Sequence, residues 1–131
     1  MSGDLKNMAG IVCLVVGSTL GGLARYFFGG LVSGTLGTAF PLGTLAVNTL
    51  GCFLIGLFSS LAGERFFLSP NAKLLLMTGF CGAFTTFSAF ILETDSLLKD
   101  GYLMKALLNI LLSLLLGFIF FRIGIFLGKL I

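Results

Sequence analysis

The sequence predicts an all-α membrane protein with four transmembrane helices per subunit. Three observations predict it. Of the 131 residues, 57% are hydrophobic and only 10% are charged, and uninterrupted apolar runs of about 20 residues recur along the chain. Soluble domains carry about a quarter charged residues, so a chain this poor in charge is hard to keep in water. The length fits one domain, residues 1–131.

The first span runs from about Ala9 to Val32, interrupted only by Arg25. Its start imitates a signal peptide, with Lys6 ahead of an apolar stretch, but the apolar run continues past Arg25 and three further spans follow. A retained first helix is therefore expected. The stretch SGTLGTAFP is a Gly/Thr/Pro connector, with Pro41 placed to open the second span, about 42–62. GERFFLSPNAK is the polar loop after it. Asn71 or Ser69 caps the third span, about 72–98, and Gly101 in KDG is its expected C-cap. The fourth span occupies about 102–130.

Nineteen glycines lie mostly within the spans. Gly17 with Gly21, and Gly124 with Gly128, have the small-xxx-small spacing that lets helices approach closely. Four thin helices enclose little interior, so a pathway across the membrane calls for a second copy. The basic residues do not orient the chain strongly. Lys6, Arg65, Lys73, Lys129 and the deeper Arg122 lie on the side of both termini, against Lys99, Lys105 and Arg25 on the other. Such a weak bias allows insertion in either direction, and hence a dual-topology antiparallel homodimer.

Several functions are excluded or disfavoured. The three cysteines, Cys13, Cys52 and Cys81, are odd in number and sit in apolar segments, and the chain has no histidine, so neither a disulfide framework nor a zinc site is expected. A net charge of +3 with scattered basic residues offers no clustered face for nucleic acid. No nucleophile–base set is evident, so no enzyme activity is expected.

The informative residues are polar ones at membrane depth. Thr44, Asn48 and Cys52 recur at four-residue intervals and share one helical face. Asn48 lies mid-span, where an unpaired amide is costly. It serves either an interhelical hydrogen bond or the lining of a pathway, where its two N–H groups face an anion. In TGFCGAFTTFSAF, residues 78–90, Gly79 and Gly82 weaken the helix just before Thr85 and Thr86. A break there would free backbone carbonyls for a cation, and irregular backbone at this depth has to be buried in protein or face a water-filled cavity. Phe87 and Phe90 share a face, with Glu93 continuing the row. They are packing residues, or they present the positive ring edge to an anion beside the hydroxyls of Thr85, Thr86 and Ser88. Asn109 and Ser113 form a second polar line, continued by Gly117. Arg25 either gathers anions at a vestibule or binds the carbonyls of a helix end. Glu93 is either a proton acceptor or a cap.

GGLARYF in the first span, PLGTLAVNTLG in the second and TGFCGAFTTFSAFILE in the third together resemble the CrcB/Fluc family of fluoride channels, over essentially the whole chain. The resemblance implies a passive, fluoride-selective channel in a microbial plasma membrane, built as a dual-topology antiparallel homodimer. Two pores and a central structural sodium ion go with it. It implies a fluoride pathway of Asn48, Phe87, Phe90, Ser88, Thr86, Thr44, Ser113 and Asn109. Arg25 and Glu93 match the family's basic and acidic positions, and Gly82 and Thr85 match those whose carbonyls hold sodium. Ala89 and Ala83 depart from the threonine and glycine of many members, and Gly117 lacks a hydroxyl that some members carry. Two other readings compete: a small proton-coupled multidrug exporter, which would need an acid in the first span and Trp for its drugs, and a non-conducting assembly subunit.

Overall fold

A computed structural model describes residues 2–64 and 68–131. Arg65, which entered the charge count, and the middle of the GERFFLSPNAK loop lie outside the described residues. The described chain is helical: α1 (Ser2–Leu36), α2 (Leu42–Glu64), a broken third segment, and α6 (Leu103–Leu130). That third segment opens as α3 (Pro70–Lys73), continues as a π-helical stretch (Leu74–Cys81), ends its first half as α4 (Gly82–Phe84), and resumes as α5 (Phe87–Lys99). Four segments, Lys6–Leu36, Leu42–Gly63, Pro70–Lys99 and Leu103–Leu130, are long and apolar enough to cross a membrane. The chain is a multi-pass membrane protein.

The helix ends follow local chemistry. Ser69 accepts a hydrogen bond from the Ala72 amide and Pro70 occupies the first turn, where its missing N–H costs nothing. At the far end Gly101 adopts φ 80°, and the pair Tyr102 N–H to Leu97 O (2.8 Å) and Gly101 N–H to Leu98 O (3.0 Å) closes a Schellman motif. α1 is longer than the hydropathy suggests. It runs through Ser33, Gly34 and Thr35, and stops only where Gly37 turns to φ 89°. Within that last turn Thr35 satisfies its hydroxyl by donating it back to Leu31 O at 2.7 Å.

Two helix pairs build the chain. α2 lies along α6, and α1 lies along the π-helical stretch. Glycines set both distances. A Cβ on Gly56 would strike the Phe121 backbone and one on Gly124 the Phe53 backbone, while Gly17 and Gly21 lie against the backbones of Leu75 and Phe80. Without a hydrophobic drive between helices in lipid, such close backbone contact supplies much of the association. Gly124→Val is therefore expected to cost about 1–3 kcal/mol of stability, read as a lower unfolding midpoint in detergent; an unchanged midpoint would contradict the packing.

The break falls at Thr85 and Thr86, whose backbones are extended (ψ 157° and 119°). β-Branched residues tolerate this conformation well. The turn before the break is already loosened: Gly82 N–H reaches back to Met77 O in π-helical register as well as to Gly79 O. Thr86 then caps α5, its hydroxyl oxygen accepting from Ala89 N–H at 3.3 Å.

Candidate functional site

Asn48 holds the break open. Its Nδ2 donates to Thr86 O at 2.9 Å, and its Oδ1 accepts from Thr86 N–H at 2.7 Å. The carboxamide thus pairs with one extended residue as a neighbouring strand would. The consequence lies on the backbone. In an unbroken helix Thr86 N–H would bond Gly82 O, and Ala89 N–H would bond Thr85 O. Here Asn48 takes the first donor and the Thr86 hydroxyl takes the second. The carbonyls of Gly82 and Thr85 are thereby released from the helical ladder. Gly82 is exposed on the chain's surface and Thr85 is half-buried. The Arg25 guanidinium reaches Thr85 O at 3.5 Å, a cation at the carbonyl end of a short helix.

Two grooves meet at this break. One, of about 320 Å³, is lined by Asn48, Thr86, Phe87, Phe90 and Ser113, with Cys52 and Cys81 in its wall. The rings of Phe87 and Phe90 lie 5.7 Å apart and are inclined by 42°. Phe90 is buried at 9% exposure, whereas Phe87 is 74% exposed. The other groove, of about 590 Å³, is lined by Arg25, Ser33, Thr44, Thr86, Ser88 and Ala89. Thr86 belongs to both. Its hydroxyl oxygen accepts from Ala89 N–H, which leaves its own O–H to donate, with Ser88 Oγ 3.5 Å away.

Thr44 donates its hydroxyl to Glu93 Oε1 at 2.7 Å. The second carboxyl oxygen of Glu93 is buried with no partner among the described residues. It borders a polar cavity of about 260 Å³ with Ser33, Thr38, Ser96 and Asp100, roomy enough for waters to complete its shell. Glu93 therefore does not extend the Phe87–Phe90 row into their groove; it turns toward α2 and the connector after α1.

The face of α2 predicted from four-residue spacing is assembled: Thr44, Asn48 and Cys52 all address the third segment. On α6 the predicted pair divides. Ser113 lines the phenylalanine groove, while Asn109, 2% exposed, does not line it and donates to Thr94 Oγ1 at 2.9 Å. Gly117 packs near Cys52 Sγ. Sequence reasoning passed over Thr94 and Ser33. A periodicity signal existed for Thr94, four residues after Phe90, but nothing local marks its partner.

Comparison with known proteins follows the same lines. A family profile described as "CrcB-like protein, Camphor Resistance (CrcB)" matches residues 12–125. A protein of Bradyrhizobium diazoefficiens called "Fluoride-specific ion channel FluC 2" is 46% identical over 115 residues, covering 86% of this chain and 84% of its own. "Fluoride-specific ion channel FluC" of Solidesulfovibrio magneticus is 46% identical over 118 residues, covering 90% and 94%. The protein of that name in Chlorobium phaeobacteroides is 45% identical over 125 residues, covering 95% and 97%.

Proposed function

The chain belongs to the CrcB family, and on that premise we propose that it is a passive fluoride-selective channel, not an enzyme, that lets fluoride leave a microbial cell. The observation that carries the reading is the broken, polar third segment at membrane depth, with Phe87 and Ser88 exposed beside it. A protomer cannot leave that seam facing lipid, because hydrocarbon offers its hydroxyls and freed carbonyls no partners. A second copy in the opposite orientation covers it and turns each phenylalanine groove into an enclosed pathway. The assembly is then a dual-topology homodimer with two pores in the plasma membrane.

Along such a pathway a small anion exchanges water for protein donors. The Asn48 amide has a second N–H beyond the one bonded to Thr86. Ser113 supplies a hydroxyl in the same groove, and Thr86 and Ser88 supply others on the far side of the break, where Thr44 lines the wall with its own O–H committed to Glu93. Phe87 and Phe90 offer ring edges, whose positive potential favours an anion without the cost of burying a formal charge. Arg25 raises the anion concentration in the wider groove, and Glu93, held by Thr44, borders the separate polar cavity beside it.

The carbonyls of Gly82 and Thr85 fit a sodium site. They are oxygen donors of the kind hard cations take, and the break has released them from helical bonds. A sodium ion held by these carbonyls in both copies would supply a structural cross-link between them. Arg25 is the competitor for the Thr85 carbonyl, and its 3.5 Å distance makes it a weak one. Reconstituted protein is expected to release fluoride from liposomes while chloride stays inside; equal release of both ions would contradict the assignment.

A further inference from the structure

The half-helix that carries both phenylalanines is severed from the rest of its span at Thr85–Thr86, so its position depends on what holds it sideways. Asn48 holds its first turn, and Thr44 holds Glu93. On the α6 side the hold is a two-bond relay. Asn109 Nδ2 donates to Thr94 Oγ1 at 2.9 Å, and Thr94 Oγ1 donates onward to the Phe90 carbonyl at 2.7 Å. The direction is fixed by chemistry: Thr94 has one O–H, spent on Phe90, so it receives Asn109 through a lone pair. Both side chains are buried, at 2% and 7% exposure.

We infer that Asn109 and Thr94 are positioning residues that fix the turn bearing Phe90 against α6, and that Ser113 rather than Asn109 is the α6 donor to the anion. The inference rests on the channel reading above. Three points carry it. The relay ends on the backbone of Phe90 itself, so any shift of the relay moves that ring. Asn109 lies outside the groove wall to which Ser113, one turn further, belongs. Finally, α5 and α6 cross within the membrane, where interhelical polar bonds supply holding force that apolar contact in lipid does not. Attraction to a ring edge falls off with distance and tilt, so a small displacement of Phe90 is felt by the anion.

The test is single-channel fluoride current from Asn109→Ala, Thr94→Val and the double variant, with Thr94→Ser as the conservative control. A merely structural role changes the number of active channels and leaves the current through each one alone. Positioning changes the current itself. Each single variant is expected to lower it roughly three- to tenfold, the scale of one interhelical hydrogen bond in a membrane. The double variant is expected to fall no further than either single one, and Thr94→Ser to conduct as the unsubstituted protein does. A normal current in Thr94→Val with a lowered one in Asn109→Ala would make Asn109 a direct donor and overturn the inference. Losses that multiply in the double variant would overturn it too, as would unchanged currents throughout. Absence of current in the unsubstituted protein would strike the channel reading itself and the inference with it.

Discussion

Phe87→Ile and Phe90→Ile are each expected to lower fluoride flux at least about tenfold while leaving the fold intact. Isoleucine keeps bulk and apolarity but removes the quadrupole, and with it the positive edge that would face the anion. A tenfold loss corresponds to about 1.4 kcal/mol at the barrier, within what one well-placed ring edge supplies. The two positions differ in what else is lost. Phe87 is 74% exposed, so its replacement costs the core of the chain nothing. Phe90 is 9% exposed, and trimming it adds a modest packing cost. Size-exclusion chromatography and flux on the same preparation separate these effects. Undiminished flux in both variants would remove the rings from the pathway.

Asn48→Ala has a different signature, because it strikes stability and conduction together. The carboxamide satisfies both the N–H and the C=O of Thr86. Without it, two part-buried backbone groups lose their partners, at a cost of about 1–3 kcal/mol each. The break either relaxes toward continuous helix, recapturing the Gly82 carbonyl, or admits water. In both cases the groove loses its amide donor as well. Fluoride flux is expected to vanish and the unfolding midpoint to fall, in contrast to Phe87→Ile, which lowers flux alone. A stable, conducting Asn48→Ala protein would show that the clamp is dispensable.

Much of the scaffold is legible in the residues. Four apolar runs mark the spans, Ser69 and Gly101 mark ends of the third segment, and the cluster Gly82–Thr85–Thr86 marks its break. The spacing of Thr44, Asn48 and Cys52 identifies a face that the structure turns toward that break. The π-helical stretch is not legible, because LLLMTGFC is almost uniformly apolar and carries no phase that distinguishes one helical register from another. The overrun of α1 to Leu36 is hidden because Ser33, Gly34 and Thr35 read as connector, whereas the helix yields only at the positive φ of Gly37. The polar partners are hidden for a more general reason. Thr44 meets Glu93 across 49 positions and Asn109 meets Thr94 across 15. Such pairings follow from how helices dock, and glycine contacts set that docking.

The central claim, that this polar seam passes fluoride and rejects chloride, is tested most directly by anion efflux from liposomes containing the purified, folded protein. The vesicles are loaded with potassium fluoride or potassium chloride, and efflux is started with a potassium ionophore so that charge movement does not limit it. Fast fluoride efflux with chloride retained is the predicted result. Fluoride retained alongside chloride, by protein verified to be folded and inserted, would contradict it and leave the seam as helix packing alone.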